Sequence, residues 1–479
     1  MLLDLESSHL ALLKEGQYSQ LLNELENNVQ TPHNRWLVAK VLTDLGEYEK
    51  AATLLEELKS GITNTSEIAL TYYFIAELLL SQGKIERGVK AIQKGLDQFN
   101  KPDPPPPTLQ AYFKVLEVAC PTQVMSKGST ETLERLLEST SHDEFLRAKT
   151  YYSMGIGYYN SGLMNKALEY QNHSLELFER LDYRVEVSKI YGSISHIYFQ
   201  MGFLQQALDY RMQSIRFEEA NGLKPLVNIS LVKLGMIYNA MGKPNQAMDS
   251  LTKAIAMAEA LDNQKIKVMT LMYMAAAIDK HNRGYQEILD QFPSNVESPL
   301  INLAKTAVKA FIAKQKENYG EAEELIQLCL ESEDLTFDLR LYGYQALADI
   351  AFKRWVVTKS DERRQTLQQR LEEWENVCEF NHLTPQLCQI ALLRGKLALA
   401  SFDFTEAKSF YESCLQMAEE YELELFHKTA KGELQALNSQ VQQLSALAGL
   451  ARSGFEQNQL QEFGDYLNDI NKLLQGQQE

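Results

Sequence analysis

The stretch YYSMGIGYYNSGLMNKALEY (residues 151–170) holds Gly155, Gly157 and Gly162, and its reading decides the fold. Closely spaced glycines suit a loop that cradles a phosphate, and equally a packing position in a repeat. The two differ in recurrence: a phosphate loop occurs once in a domain, whereas a packing glycine returns at a fixed interval. YGSISHIYFQMGFLQQALDY (191–210) and LVKLGMIYNAMGKPNQAMDS (231–250) supply that return. Tyr158, Tyr198 and Tyr238 align, as do Gly162, Gly202 and Gly242, and Ala167, Ala207 and Ala247, each column at an interval of 40 residues. Gly155 shares its column with Ser195 and Gly235, whereas Gly157 stands against Ile197 and Ile237. Only the first position asks for a small residue. The stretch also lacks a G-x-G-x-x-G spacing and a preceding strand, so Gly155 is read as a packing glycine and Gly162 as the turn glycine of a repeat.

Each column has a physical reason. The tyrosine closes one amphipathic helix and covers the turn that follows. The glycine ends that helix in a left-handed conformation, which costs a residue with a Cβ about 1 kcal/mol or more. The alanine lies five residues on, in the returning helix, where a small side chain lets two backbones approach closely. Bulk there would pry the hairpin apart.

This pattern resembles the tetratricopeptide repeat, W-x-x-L-G-x-x-Y followed by A-x-x-x-F. Tyr151, Met154, Gly155, Tyr158 and Ala167 match in order or by type, as do Leu231, Leu234, Gly235, Tyr238 and Ala247. Gln171, Arg211 and Leu251 replace the aromatic residue expected after each alanine, and no closing proline appears. These departures fit a longer, 40-residue variety of the repeat. The resemblance implies an all-α fold: an α-solenoid, a superhelix of stacked antiparallel helix hairpins.

Weaker copies carry the pattern outward. RWLVAKVLTDLGEYEKAATLLEEL contains Ala39, Gly46 and Ala51, FIAELLLSQGKIERGVKAI contains Ala76, Gly83 and Gly88, and a leading unit surrounds Gly16. Gly395, Ala398, Ala407 and Tyr411 restore the columns near the other end. At about 40 residues per pair, 479 residues accommodate roughly twelve hairpins. KPDPPPPTLQ (101–110) excludes helix by its five prolines and reads as a rigid connector or as an SH3 or WW ligand. A second break holds Pro293 and Pro299. The expected organisation is N-terminal hairpins over 1–100, the connector 101–110, a central array over 111–292 with its strongest repeats at 148–270, degenerate repeats over 293–435, and C-terminal helices over 436–479. Leu367, Leu371 and Trp374 mark one side of a long charged helix, and Leu437, Val441, Leu444 and Ala448 a short coiled-coil-like seam. Phe463, Tyr466, Leu467, Ile470, Leu473 and Leu474 form an apolar stripe, read as a cap on the last repeat or as a self-association surface.

Composition bounds the rest. A net charge of −17, from 47 basic and 64 acidic residues, argues against a nucleic-acid partner. The start MLLDLESSHLALLKEG lacks the basic and apolar regions of a signal peptide, so the chain is expected to begin here in its mature form. YYFIAELLL, the most apolar run, contains Glu77 and is far shorter than the roughly twenty residues a membrane helix needs, so membrane insertion is not expected. Cys120, Cys329, Cys378, Cys388 and Cys414 are scattered and form no C-x-x-C pair, which fits a reducing cytosol and neither a disulfide framework nor zinc. The sequons at Asn64, Asn172 and Asn228 are read as chance.

No Walker loop, H-E-x-x-H or G-x-S-x-G motif is present, and the eight histidines are dispersed, so neither catalysis nor a cofactor or metal is expected. In the family resembled, the first helix of each pair lines a concave groove that holds a peptide or partner helix. Helix phase places Tyr152, Ile156, Tyr159 and Asn160 there in the first strong repeat. His196, Phe199 and Gln200 follow in the second, and Val232, Met236 and Asn239 in the third. This mixture suits an apolar or amphipathic segment held through its backbone by amide side chains, although the same residues could equally pack inward. Family members that clasp acidic chaperone termini use recurring Lys and Asn. Lys149, Lys189 and Lys233 are candidates for such a role, but the asparagines fall in no matching column. The expected function is a non-enzymatic scaffold that binds a peptide or protein segment in the groove. The alternative is a peptide sensor similar to the quorum-sensing repeat class, whose superhelix changes shape on binding.

Overall fold

The computed structural model describes residues 7–25, 31–118, 127–139, 143–161, 163–277, 285–292, 299–332, 337–380, 383–421 and 423–451. They form 23 α-helices, and no strand occurs among the described residues. The chain divides into two compact units, residues 1–199 with 204–308, and residues 200–203 with 309–479.

In the first unit the helices run as antiparallel pairs. These are α1 (Ser7–Glu15) with α2 (Tyr18–Leu25), α3 (Pro32–Leu45) with α4 (Tyr48–Gly61), α5 (Thr65–Ser81) with α6 (Ile85–Leu96), and α7 (Pro107–Val118) with α8 (Lys127–Ser139). The strong repeats follow: α9 (Glu144–Asn160) with α10 (Met164–Arg180), α11 (Arg184–Met201) with α12 (Leu204–Ala220), and α13 (Lys224–Ala240) with α14 (Pro244–Ala260). Next come α15 (Gln264–Ala277) and the short α16 (Tyr285–Asp290). The remaining helices are α17 (Pro299–Gln315) with α18 (Tyr319–Leu330), α19 (Phe337–Thr358) with α20 (Asp361–Phe380), α21 (Thr384–Ala400) with α22 (Phe404–Glu420), and α23 (Glu424–Ala451).

The columns of the repeat act as their chemistry requires. Ala167, Ala207 and Ala247 are wholly buried between the arms of their hairpins. Opposite them the small-residue column accommodates the side chain sixteen positions on. A Cβ on Gly155 would lie 2.5 Å from the Gln171 amide, and one on Gly235 would lie 2.7 Å from Leu251. Ser195 instead donates its hydroxyl to the carbonyl of Ala207 at 2.6 Å. In the second unit Gly395 faces the buried ring of Tyr411, so the aromatic residue missing from the strong repeats is present there. The tyrosines at the helix ends stack on the returning helix, Tyr158 on Tyr170 with centroids 5.2 Å apart and Tyr198 on Tyr210 at 5.7 Å.

The turns inside the pairs use left-handed glycines, with φ of 83° at Gly46, 75° at Gly83, 90° at Gly202 and 70° at Gly242. Gly162 lies outside the described residues. The corners between pairs carry a second column that the sequence reading overlooked. Asp182, Gly222 and Asp262, again 40 residues apart, are left-handed at 59°, 67° and 47°. Aspartate tolerates this conformation better than most residues, which is why it alternates with glycine. In the second unit Glu317 and Phe402 take the left-handed turn position at 60° and 62°, so the repeat there loses its glycine and keeps its geometry.

The proline-rich stretch is shorter than its composition predicts. Residues 101–106 are irregular, but α7 starts at Pro107, because a proline in the first helical turn gives up an N–H that would lack an intrahelical partner anyway. Pro299 opens α17 in the same way. The long charged helix is α20, with Leu367, Leu371 and Trp374 buried along one side. In α23 Leu437 is buried and Val441 is exposed. The stripe from Phe463 to Leu474 lies outside the described residues.

Candidate functional site

The candidate groove residues sit on α9, α11 and α13, the first helices of the strong pairs, and six of them fall into two groups. The first group enters a polar centre shared with α2, α3 and α5. Lys189 donates to Glu186 at 3.1 Å, and Lys149 stands 3.8 Å from Glu77 of α5. Lys40 of α3 pairs with Asp44 at 2.6 Å, Tyr18 donates its hydroxyl to Asp44 at 2.9 Å, and Tyr73 donates to Glu77 at 3.1 Å. The six charged side chains are between 14% and 21% exposed, so three cations and three carboxylates balance one another largely out of water.

The electrostatics show that these pairs share one field. Burial works against the charge on Glu186, yet Lys189, Lys149 and Lys40 outweigh it and bring its carboxyl down to about 2. Burial likewise opposes the charge on Asp44, and Lys40 and Lys189 hold it below the usual carboxylate range. Burial, followed by Asp44, pushes the Tyr18 phenol well above its ordinary value.

The N-terminal pairs reach this position through their turns. Gly16 lies against Val185 and Phe217, Gly46 against Pro225 and Leu261, and Gly83 against Asn263 and Lys265. Each turn meets a successive corner of the strong repeats. Asn263, wholly buried, accepts from the N–H of Ile266 at 3.1 Å and donates to the carbonyl of Ser81 at 3.0 Å. One side chain thus caps the start of α15 and ties it to the end of α5.

The second group forms a row across consecutive first helices. The Tyr159 hydroxyl and the Lys233 ammonium each lie 2.7 Å from Nε2 of His196. Phe199 stacks on His196 with centroids 5.9 Å apart, and the Lys233 ammonium lies 5.8 Å from the centre of the Tyr273 ring. Tyr159, His196 and Lys233 are 37 residues apart rather than 40, so the row slips about one helical turn per repeat. A strict 40-residue alignment sets His196 against Ile156 and hides it. His173 lies half-exposed beside Tyr151 and Glu169.

Of the other candidates, Tyr152, Ile156, Asn160 and Asn239 are half-buried, while Gln200, Val232 and Met236 are buried at 3%, 3% and 5% exposure. The Tyr152 carbonyl accepts from Gln171 at 3.3 Å. Val232 and Lys233 also line a cavity of about 220 Å³ between the α5–α6 turn and helices α13 and α15.

Residues 230–261, most of α13 and α14, match the tetratricopeptide repeat family. No curated protein matches the chain. Among solved structures, NprR in complex with its cognate peptide NprX is 15% identical and covers 73% of this chain and 99% of its own, with a TM-score of 0.50. The apo form of the quorum sensor NprR from B. thuringiensis is 16% identical with the same coverage and a TM-score of 0.47. A Rap protein complexed with competence and sporulation factor is 11% identical, covers 78% and 99%, and has a TM-score of 0.42. With a matched repeat, recurring hairpin columns and this shared helical fold, the chain is a protein of the tetratricopeptide-repeat type.

Proposed function

We propose that the chain is a non-enzymatic scaffold of the cytosol that binds a peptide or protein segment on the first-helix face of its first unit. The observation that carries this reading is the row of Tyr159, His196 and Lys233, with Phe199 stacked beside it. Each first helix contributes one polar or aromatic group at nearly constant spacing, which suits an extended or helical segment laid across the repeats. The fold shared with NprR, a protein captured with a peptide, supports a ligand of that class. The test is selection of binders from a random displayed-peptide library, followed by affinity measurement on the purified chain and on a Tyr159→Ala/Phe199→Ala variant. A loss of about tenfold or more is expected, since each ring offers 1.5–3 kcal/mol of burial. Equal affinity overturns the assignment.

One observation favours a second reading, a sensor whose shape responds to ligand. The N-terminal pairs meet the strong repeats through Lys149–Glu77, a contact with which an incoming segment would compete. X-ray scattering of the full chain with and without a selected peptide tests it; an unchanged radius of gyration at saturation removes it.

A further inference from the structure

We propose that the three N-terminal hairpins, α1 to α6, are a built-in cover that lies on part of the peptide-binding face and lifts before a segment can cross it. This rests on the peptide-binding reading above and names how that face is regulated.

The cover is seated on candidate groove residues. Glu77 of α5 reaches Lys149 of α9 at 3.8 Å, and Leu80, Ser81 and Gly83 stand across a cavity from Val232 and Lys233 of α13. The turns at Gly16, Gly46 and Gly83 rest on successive corners, at Val185, Pro225 and Lys265. A segment laid across α9, α11 and α13 therefore meets α5 at its first and its last helix.

The contact is made to part cheaply. Of the three ion pairs at its centre, Lys40–Asp44 lies within α3 and Lys189–Glu186 within α11, so separation breaks only Lys149–Glu77. Each side keeps its own pair, and charges that leave a buried contact together regain their water. Packing along the contact is incomplete. Cavities of about 220 and 70 Å³ lie there, and Glu77 Oε2 is buried without a hydrogen-bond partner, whereas native cores leave few such voids and pair their polar atoms. The strong hairpins close instead on wholly buried Ala167, Ala207 and Ala247, so they persist when the cover lifts. Motion is expected where the contact between parts of a chain is polar rather than large and apolar. Affinity for a segment is then scaled by the fraction of chains with the cover lifted.

The experiment locks the contact and forces it apart, both in the full chain. A Cβ on Gly83 would lie 2.6 Å from the Cβ of Lys265, so Gly83→Cys with Lys265→Cys brings two thiols within disulfide reach after a shift of about 1 Å. Oxidised with glutathione disulfide, this chain should bind a library peptide that depends on Tyr159 and Phe199 about tenfold or more weakly than the same chain reduced. Glu77→Lys sets four cations against two carboxylates at the centre of the contact. It should bind that peptide about tenfold more tightly than the parent chain and show a larger radius of gyration by X-ray scattering. Equal affinity of the oxidised and reduced chains overturns the cover and leaves the binding face standing. If no selected peptide depends on the two rings, the face is wrong, and scattering judges the contact by itself. A radius that Glu77→Lys leaves unchanged then overturns the cover too, and one that grows, and shrinks back when the disulfide is added and closed, upholds its lifting.

Discussion

The side-chain amide of Asn263 donates to the carbonyl of Ser81 at 3.0 Å, joining two residues 182 positions apart. The same carbonyl accepts from the Tyr48 hydroxyl at 3.3 Å, so the end of α5 is held from both the N-terminal pairs and the strong repeats. Because Asn263 also caps α15, its two bonds are separable by substitution.

Asn263→Ala removes both bonds and should lower stability by about 2 kcal/mol. Asn263→Asp keeps the acceptor for Ile266 but points a carboxylate oxygen at the Ser81 carbonyl. It should therefore speed amide exchange at the α5 end while α15 stays protected. Denaturant midpoints and residue-resolved exchange read the two effects. Faster exchange in α15 alone for both variants would contradict the junction.

The glycine turns offer a second, internally controlled test. Gly46 and Gly242 have nearly the same backbone conformation, with φ of 83° and 70°. A Cβ on Gly242 meets nothing within 4 Å, whereas one on Gly46 would lie 2.6 Å from Leu261. Both Gly→Ala changes cost about 1 kcal/mol for the left-handed backbone. Gly46→Ala should cost about 1–2 kcal/mol more, because Leu261 must move off the turn. Equal costs in denaturant unfolding would mean that the turn does not bear on the repeats.

How far the sequence discloses this arrangement depends on whether a feature repeats. Gly155, Ser195 and Gly235 were legible because every copy of the hairpin needs the same close approach. The corner column of Asp182, Gly222 and Asp262 was equally periodic but disguised, since two residue types meet one backbone requirement. His196 is legible as a first-helix residue, yet its contacts with Tyr159 and Lys233 are hidden by the slip of one turn per repeat. The pairing of Lys189 with Glu186 is a local i, i+3 pattern, whereas Lys149 with Glu77 has no period and no sequence proximity. The docking of the N-terminal pairs rests on contacts of that second kind, and only coordinates reveal it.

Arg211 occupies the position where Leu251 stands in the next repeat, and is 3% exposed. Its guanidinium donates to the Gly192 carbonyl at 2.5 Å and to Ser230 at 3.2 Å, and burial lowers its pKa to about 10. Glu218, 2% exposed, accepts from Ser214 at 2.7 Å and Ser188 at 3.2 Å. Arg211→Ala leaves a void and an uncompensated buried carboxylate, and should cost about 3–5 kcal/mol. Arg211→Leu should cost about 1–2 kcal/mol less, and adding Glu218→Leu should recover most of the remainder. Urea midpoints of the three variants decide this; a double variant less stable than Arg211→Leu would show the carboxylate to be stabilising in its own right.

Acid should loosen the polar centre within a defined window. The Glu186 carboxyl titrates at about 2 in the folded chain against an ordinary value of 4.5, because Lys189, Lys149 and Lys40 together overcome the opposing effect of burial. A depressed folded pKa means that the unfolded chain binds the proton first as pH falls, so stability rises with pH through this range. The contribution is fully present above about pH 5, declines below pH 4.5 and is gone below about pH 2. It amounts to at most about 3 kcal/mol, and Asp44, shifted in the same direction, adds to the slope. Glu186→Gln should be less stable than the parent chain at pH 7, where Lys189 loses its nearest counter-charge, and the gap should narrow steadily toward pH 3. Urea unfolding at pH 7, 5, 4 and 3 measures both curves. Parallel curves over that range would show that Glu186 titrates alike in the folded and unfolded chains, and that the three lysines exert no common field upon it.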